Sequence, residues 1–261
     1  MNIESLENRR HLSASLNSAG LLCVGGTEGN DNILIWQPQF RVTRVEVNGD
    51  VTDFNTADVA FIKVNAGAGD DLVILGKRSP NAKLLGGDGN DSLSSGDGND
   101  ILYGGRGDDY LFGRGGNDRI LGGPGADDIF GGDGERDVID YSHRTKPLNI
   151  CIGFEPNDGE AGEHDNIHAD IEIAYGGSGN DKLRSWGSHG VTLMGNDGND
   201  TLYGTKWDDI LDGGAGRDQY KHVDLGGNDF VRAFDGERDT LIGGTGFADL
   251  DTDSLDIVES L

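Results

Sequence analysis

Residues 86–130 read GGDGNDSLS SGDGNDILY GGRGDDYLF GRGGNDRIL GGPGADDIF, which are five nine-residue units without a gap. Position 1 of each unit is Gly, or once Ser95, position 4 is Gly, position 6 is Asp and position 8 is aliphatic. A fixed short period is typical of a solenoid, in which each unit stacks on its neighbours. Position 6 carries Asp91, Asp100, Asp109, Asp118 and Asp127, and position 8 carries Leu93, Leu102, Leu111, Ile120 and Ile129.

The same spacing resumes after residue 175. One unit begins at Gly176, and three consecutive units cover residues 195–221. These units supply Asp181, Asp200, Asp209 and Asp218 at position 6, and Leu183, Leu202, Leu211 and Tyr220 at position 8. An isolated unit at residues 26–34, a partial unit at 67–74 and degenerate turns at 226–231 and 235–241 extend the pattern. We therefore predict two stretches of one solenoid.

Composition alone points elsewhere, because a net charge of -26, 45 glycines and a hydrophobic content of 34% are typical of a disordered acidic spacer. The register argues against disorder, since a disordered chain has no reason to keep an aliphatic residue at position 8. The acidity argues against nucleic acid, whose phosphates require a basic face. Hard cations are the partners that so many carboxylates favour.

The cysteines and the hydropathy give weaker information. Cys23 and Cys151 fit no CxxC pattern and form no metal or disulfide framework. The sequence leaves their pairing open, and two buried small hydrophobic side chains is the favoured interpretation. No apolar run approaches the ~18 residues of a membrane-spanning helix, so no transmembrane segment is expected. Residues 1–20 lack the apolar core of an ordinary secretory signal.

Between the repeat blocks the sequence predicts short strands, so the expected fold class is all-β. Asn48-Gly49, between two alternating segments within residues 40–64, is a two-residue hairpin signal, because both residues tolerate positive φ. Leu148–Phe154 and Ile171–Tyr175 are also predicted strands, and Lys77–Lys83 is a predicted loop. The predicted organisation is an export-like segment at 1–20, a β region with two isolated repeats at 21–81, a β-roll at 82–145, a strand and loop insertion at 146–175, and a second β-roll with a C-terminal cap at 176–261.

The nonapeptide follows the form GGxGxDxUx, where U is a large aliphatic residue, and resembles the haemolysin-type (RTX) calcium-binding repeat. This resemblance implies a parallel β-roll in which six residues make a turn and three make a strand. It also implies that repeat n lies above repeat n+2, and that calcium binds in the turns. Proteases, lipases, epimerases and toxins of that family carry such rolls as accessory parts.

A second resemblance concerns the first residues. Residues 6–14, LENRRHLSA, are similar to an LExRRxLSA element at the start of many surface or exported proteins of planctomycete-type bacteria. The resemblance implies that the protein leaves the cytoplasm by a route that an ordinary signal search misses. An extracellular or cell-surface location is therefore expected.

The chemistry of the repeat follows from its residue types. Glycines at positions 1, 2 and 4 are expected to allow left-handed or tightly curved backbone and to bring carbonyl oxygens inward. Stacked strands lie ~4.8 Å apart, so the carboxylates of repeats n and n+2 face each other. Two carboxylates about 5 Å apart repel by roughly 3 kcal/mol at an effective dielectric constant near 20. A divalent cation between them reverses the sign of this interaction.

Calcium fits these turns best, because it accepts about six to eight oxygens, backbone carbonyls included, in a flexible shell. Magnesium requires tighter octahedral geometry, and zinc requires nitrogen or sulfur ligands that the turns lack. Several ions are expected. The implied bridging pairs are Asp91 with Asp109, Asp100 with Asp118, Asp109 with Asp127, and Asp200 with Asp218.

The predicted metal-binding residues are the position-6 carboxylates and the glycines whose carbonyls complete each shell. They are Asp91, Asp100, Asp109, Asp118, Asp127, Asp181, Asp200, Asp209 and Asp218, with Gly86, Gly87, Gly89, Gly104, Gly105, Gly107, Gly122, Gly123, Gly125, Gly195, Gly198, Gly213, Gly214 and Gly216. Trp207 replaces Gly at position 4, so Asp209 is expected to bind weakly or to act only as a spacer. Extra residues before Asp137 and Asp239 are expected to place these two carboxylates out of register.

The sequence does not predict an enzyme. His164 and His168 form no HExxH motif, no GxSxG nucleophile elbow occurs, and the paired acids recur with the repeat. Residues 35–81 are too few for a typical enzyme core. The expected function is calcium binding by a β-roll that folds on the ion, in a structural or interaction role, with a cell-surface or extracellular polysaccharide or protein as further partner.

Two alternatives remain open at this point. The first is a secreted polysaccharide-acting or hydrolytic enzyme, or its accessory module. It would have a shallow site at the Leu148–Tyr175 segment and the hairpin, near His143, His164 or His168. The second is a roll that only assists the secretion of a partner.

Overall fold

A computed structural model of the chain describes residues 13–153, 156–222, 229–233, 235–243, 247–252 and 257–260. Its described secondary structure consists of strands and one three-residue 3-10 helix, Thr56–Asp58. The strands stack mainly in parallel as a β-solenoid, which confirms the predicted fold class. No helix in the described residues is long and apolar enough to cross a membrane. Residues 1–12, most of the export-like element, lie outside the described residues.

The chain divides into two compact units, residues 1–118 with 122–127, and residues 119–121 with 128–261. The strands of the first unit are β1 Ser13–Leu16, β2 Leu21–Gly25, β3 Asn32–Gln39, β4 Val42–Val47, β5 Asp50–Asn55, β6 Phe61–Ala68, β7 Leu72–Leu75, β8 Ala82–Asp88, β9 Ser92–Ser94, β10 Ile101–Arg106 and β11 Tyr110–Gly115. They form two sheets, ordered β1-β2-β6-β8-β10 and β11-β9-β7-β3-β4-β5. Alternate strands therefore go to alternate sheets, as expected when two repeats make one coil.

The second unit has the same alternation, with an insertion. Its strands are β12 Arg119–Leu121, β13 Asp128–Asp133, β14 Val138–Asp140, β15 Leu148–Ile152, β16 Gly159–Glu160, β17 Asn166–Ile167, β18 Ile173–Tyr175, β19 Lys182–Ser185, β20 Thr192–Asp197, β21 Thr201–Gly204, β22 Ile210–Ala215, β23 Gln219–His222, β24 Asp229–Ala233, β25 Thr240–Gly243, β26 Phe247–Thr252 and β27 Ile257–Ser260. One series runs β12-β14-β18-β20-β22-β24-β26, another runs β16-β15-β19-β21-β23-β25-β27, and β13 pairs with β17.

The predicted hairpin is present in the first unit. Strands β4 and β5 pair antiparallel around Asn48 and Gly49, whose φ angles are 52° and 88°. Positive φ at both central residues is what a tight two-residue turn requires. Strand β3 extends the hairpin on one side, antiparallel to β4, and pairs in parallel with β7 on its other side. The hairpin is thus an addition to the edge of a parallel sheet.

Position 8 of the repeat forms the core of the solenoid. Leu93, Leu102, Leu111, Ile120, Ile129, Leu183, Leu202, Leu211 and Tyr220 are all 0% exposed. Parallel pairing places these residues above one another, for example Leu111 beside Leu93 and Leu202 beside Leu183. The buried tyrosine keeps its hydroxyl satisfied, because the Tyr220 hydroxyl donates to the carbonyl of Arg232 and accepts from the amide of Gly213.

Several strands are longer than the three residues that the resemblance implied. Strand β10 continues to Arg106, because Gly105 and Arg106 pair with Gly87 and Asp88 of β8. Residues at positions 1 to 3 therefore belong to the ladder in many repeats. The tail also continues the ladders, since β26 pairs in parallel with β24, and β27 with β25.

Two further outcomes concern residues left open by the sequence. Cys23 and Cys151 are free thiols, the first half-buried and the second buried. Residues 13–16, inside the range assigned to an export-like segment, form β1 and pair antiparallel with β2.

The insertion at 146–175 is anchored by a buried aspartate, since the Tyr141 hydroxyl donates to Asp165 Oδ2 at 2.6 Å.

Candidate calcium sites

The position-6 carboxylates stack into ladders. The amide of Asp91 donates to Asp109 Oδ1 at 2.8 Å, and the amide of Asp109 donates to Asp127 Oδ1 at 2.9 Å. In each step the carboxylate of one turn accepts from the position-6 amide of the turn two repeats earlier. The same bond joins Asp31 to Asp71, Asp71 to Asp91, Asp100 to Asp118, Asp181 to Asp200, Asp200 to Asp218, Asp209 to Asp229 and Asp218 to Asp239.

These contacts bring together all four predicted pairs. The carboxylates are nearly inaccessible to water: Asp91 and Asp109 are 2% exposed, and Asp200 and Asp218 are 1% exposed. A stack of buried carboxylates is unfavourable without compensation, because burial penalises the charge and each neighbour repels it. The ladder therefore requires donors, protons or a cation.

Hydrogen bonds compensate only one oxygen of many of these carboxylates. Five Oδ2 atoms are buried and accept no hydrogen bond from the described residues; they belong to Asp71, Asp91, Asp109, Asp200 and Asp218. Buried oxygens without a donor are rare in folded proteins. Carboxylate oxygens are ligands that a hard cation such as calcium prefers.

The position-1 glycine shapes the space beside Oδ2. A Cβ on Gly86 would lie 2.2 Å from Asp91 Oδ2 and 2.5 Å from the carbonyl oxygen of Gly104. A Cβ on Gly104 would lie 2.2 Å from Asp109 Oδ2 and 2.6 Å from the carbonyl oxygen of Gly122. Beside each of these two glycines, a carboxylate oxygen and a carbonyl oxygen thus converge on one small volume that a side chain would fill.

This arrangement corrects one sequence-based expectation. Position-1 glycines were expected to need unusual backbone angles, but Gly86, Gly104, Gly122, Gly195 and Gly213 do not have the left-handed φ. They are glycine because a side chain would occupy the space of the oxygens. The expectation holds at positions 2 and 4 of many turns but not of all, and φ is positive there at Gly87, Gly89, Gly105, Gly107, Gly123, Gly125, Gly198, Gly214 and Gly216.

The unfavourable electrostatics of the ladder raise the pKa values of its carboxyl groups. Burial first, with repulsion from neighbouring carboxylates, raises the pKa of Asp109 to about 7 and of Asp200 to about 8. The same causes raise the pKa of Asp218 to about 7, and of Asp71 and Asp91 to about 6. These values describe the protein without a metal ion. A bound cation would favour the ionised form instead.

In four other position-6 carboxylates, Oδ2 accepts a hydrogen bond from the same turn. The amide of position 2 donates to Oδ2 from Thr27 to Asp31, Gly96 to Asp100, Gly177 to Asp181 and Thr205 to Asp209, at 2.5 to 3.2 Å. The Thr205 hydroxyl also lies 3.1 Å from both oxygens of Asp209. Both oxygens of Asp209 therefore have donors nearby, and its weak binding or spacer role stays a prediction.

Sequence reasoning missed some ladder members. Asp31 and Asp71, which were not among the predicted ligands, extend the first ladder toward the N-terminus, and Asp229 and Asp239 extend two ladders in the second unit. The expectation for Asp239 was wrong: the amide of Asp218 donates to Asp239 Oδ1 at 2.7 Å, across 21 residues. The longer turn absorbs its extra residues and keeps the carboxylate in place.

Asp137 differs from the others. It is 0% exposed, and its amide donates to Glu172 Oε2 at 2.8 Å. A glutamate from the insertion therefore takes the place that the next position-6 aspartate occupies elsewhere. The period alone could not have indicated this, because Glu172 lies in a segment without the repeat.

The donor set fits calcium better than other metals. Across the described residues, no three His, Cys, Asp or Glu side chains are grouped to hold an ion. A site would need backbone carbonyl oxygens beside the carboxylates. Calcium accepts such mixed oxygen shells, whereas zinc prefers nitrogen and sulfur.

The three histidines considered for a catalytic site, His143, His164 and His168, do not line the groove found in the second unit. His168 stacks on Phe130 with ring centroids 3.6 Å apart, and its Nε2 lies 2.8 Å from Asp128 Oδ1. His143 and His164 are exposed. The groove of about 410 Å³ is lined by Lys182, Arg184, Trp186, Tyr203 and Lys206, among others, and by none of these histidines.

Comparison with known families agrees with this geometry. The model of the RTX calcium-binding nonapeptide repeat matches in four copies, at residues 83–111, 103–136, 169–188 and 192–220. These segments contain the central carboxylates of the ladders. No match to a curated protein was found.

Proposed function

We propose that the protein is a calcium-binding β-roll with a structural or interaction role outside the cell, and that it acquires its ordered fold on binding the ion. The observation that carries the proposal is that buried Oδ2 atoms accept no hydrogen bond from the described residues and, in the turns of Asp91 and Asp109, lie close to a backbone carbonyl oxygen. The RTX repeats and the solenoid support the same ion.

Three groups of residues would have separate roles in calcium binding: the ladder aspartates, the position-1 glycines and the position-8 core. Asp91, Asp109, Asp200 and Asp218 would present Oδ2, and carbonyls such as that of Gly104 would add neutral oxygens. A bound calcium ion supplies positive charge that offsets the repulsion along the ladder. Position-1 glycines keep the space open, and the position-8 core holds the turns in register.

Coupling between binding and folding follows from the burial of the sites. Because the unfolded chain has no preformed site, the free energy of binding contributes to the free energy of folding. Affinities of roughly 10⁻⁴ to 10⁻³ M per site would suit an extracellular module. The chain would then be loose at low internal calcium and ordered after export.

Catalysis is not part of the proposal. The acids that might serve as a catalytic pair, such as Asp108 with Asp109 or Asp208 with Asp209, occur where the repeat places a ladder carboxylate. In the turn of Asp209 those oxygens are held by Thr205. The role of the described carboxylates is therefore assigned to binding and stability.

The test is circular dichroism of the full chain with calcium and with chelator. We expect the β signal to fall in chelator and to return when calcium is restored. Magnesium at the same concentration is the control and should restore little of the signal. A β content that is unchanged after chelation would contradict the folding switch.

A further inference from the structure

Each carboxylate ladder begins at its N-terminal end with an aspartate that differs from those above it, where above means toward the C-terminus. The first members are Asp31 and Asp100 in the first unit, and Asp181 and Asp209 in the second. These four are the carboxylates whose Oδ2 accepts the position-2 amide of their own turn. Members higher in the ladders, such as Asp91 and Asp109, have no such bond.

The neighbour below explains the difference. In place of an aspartate, the amides of Ala82, Leu148 and Val191 donate to Oδ1 of Asp100, Asp181 and Asp209. These three residues end turns outside the regular repeat that carry no position-6 carboxylate. No position-6 aspartate precedes Asp31 in residues 1–30. A first member therefore has no second carboxylate beneath it to share an ion.

The backbone of the turn changes together with the hydrogen bond. In the described turns above the first, position 2 has positive φ, as at Gly105 (125°), Asn196 (75°) and Gly214 (90°). In the first turns, Thr27, Gly96, Gly177 and Thr205 do not have positive φ, and their amides face the carboxylate. Position 4 follows the same rule: Gly107 and Gly216 have positive φ, whereas Gly98 and Gly179 do not.

Glycine content does not decide which state a turn adopts. Gly96 and Gly105 both occupy position 2, and Gly98 and Gly107 both occupy position 4, yet their backbone states differ. Since glycine permits both states at low cost, the turn stacked beneath selects between them. In the first turns, the amide of position 2 donates to the carboxylate of its own turn, and we call this arrangement the self-capped state. It needs no cation, because two amides satisfy the two oxygens of the carboxylate.

We propose that the first turn of each ladder is a calcium-independent cap, closed by its own amide, and that calcium binds only at the carboxylates that follow it. The inference rests on the calcium binding proposed above. It removes Asp100, Asp181 and Asp209 from the ligands and adds Asp71. The caps would also be ordered before the ion arrives and would serve as templates for the turns above them.

Matched Asp-to-Asn pairs test this division by counting bound calcium in the full chain with native mass spectrometry. D109N and D200N should each lose at least one ion relative to the unchanged chain. D100N and D181N, which are equally buried, should retain the full number. Folded D100N or D181N with fewer ions would overturn the inference, and so would D109N and D200N with the full number.

A second pair removes no oxygen, in case D100N fails to fold. G96A adds a Cβ in a first turn, 3.0 Å from the carbonyl oxygen of Gly76, where φ is not left-handed. G105A adds one at φ 125°, 2.0 Å from the carbonyl oxygen of Gly87. G96A should keep every ion, whereas G105A should lose at least one. A G96A protein that loses an ion would contradict the inference.

The outcomes separate this inference from the proposed function. If the unchanged chain binds no calcium in the same measurement, calcium binding itself is wrong. If it binds calcium and all four Asp-to-Asn variants lose ions equally, only the division between caps and sites is wrong.

Discussion

At the residue scale, glycine has two separate roles within one repeat. Gly104 is required for space, because Asp109 Oδ2 lies 2.2 Å from the point where a Cβ would be. Gly105 is required for its φ of 125°, which other residues adopt only with strain. Arg114 and Asn196, which have φ angles of 67° and 75° at position 2, show that the second requirement can be relaxed. The first is set by contact with oxygen atoms.

The substitution G104A tests the spatial role. The added methyl group would displace Asp109 Oδ2 and the Gly122 carbonyl, so we expect the free energy of unfolding in calcium to fall by about 1–3 kcal/mol. The calcium midpoint of folding should rise. Urea unfolding at fixed calcium measures the first effect.

G29A is the matched control for this substitution. Gly29 is exposed, has no atom within 4 Å of an added Cβ and does not have left-handed φ. Its stability should change by less than about 0.5 kcal/mol. Equal losses for G104A and G29A would argue against a specific role of the position-1 space.

At the scale of the element, strand β22 shows how each repeat divides its two faces. Leu211 is fully buried and stacks beside Leu193, whereas Ile210, one residue earlier, is 45% exposed. Both side chains are aliphatic and of similar size, so hydrophobicity does not distinguish them. The alternation of a strand does, because successive side chains point to opposite faces.

The pair L211A and I210A tests this division. Removing the Leu211 side chain leaves a cavity in the core, so we expect a loss of about 2–5 kcal/mol in the free energy of unfolding. I210A should lose less than about 1 kcal/mol, since surface substitutions have small effects. Thermal unfolding in calcium compares the two variants, and a larger loss for I210A would reverse the assigned faces.

At the scale of the whole molecule, the net charge of -26 and the buried ladders favour the unfolded chain when no cation is present. Self-repulsion in a highly charged protein destabilises its compact state. The ladders concentrate that repulsion in a medium of low dielectric constant, where each charge is felt more strongly. Protons and calcium therefore compete for the same oxygens.

This competition predicts opposite pH dependences with and without calcium. The folded-state pKa values of Asp109, Asp200 and Asp218, about 7, 8 and 7, lie above the usual 3.8, so the folded chain binds more protons than the unfolded chain. That stabilisation is complete below about pH 4 and is lost as the pH rises through 6 to 8. In chelator, the folded fraction measured by circular dichroism should therefore be larger at pH 5 than at pH 8.

Calcium affinity should change in the other direction. Because the ion binds the ionised carboxylate, it must displace these protons, and its affinity should rise from pH 5 to pH 8. Calorimetric titration at the two pH values measures this change. Stability in chelator that rises with pH over this range would show that the ladder carboxylates are ionised in the folded state without a metal ion.

Much of this structure could be predicted from the period of nine. The recurrence of aliphatic residues at position 8 indicates the core, and Asn48-Gly49 indicates the hairpin through its turn residues. The four carboxylate pairs follow from the resemblance to the RTX repeat, which implies that repeat n lies above repeat n+2, and the structure contains all of these features. The ladder position of Asp239 and the part played by Glu172 could not be predicted in this way. Turn length is variable at low cost, so a carboxylate can reach its place across 18 or 21 residues.

From the amino-acid sequence, residues 86–130 can be assigned as glycine-rich turns with one carboxylate each and an aliphatic position 8, because these residue types recur with one period. Which carboxylates accept an amide and which lack a donor depends on how the turns stack in space. Asp181 and Asp91 both have Gly at positions 1, 2 and 4 of their turns, yet Leu148 lies beneath the first and Asp71 beneath the second. Glycine leaves the backbone free to adopt either state, so the neighbouring turn makes the choice.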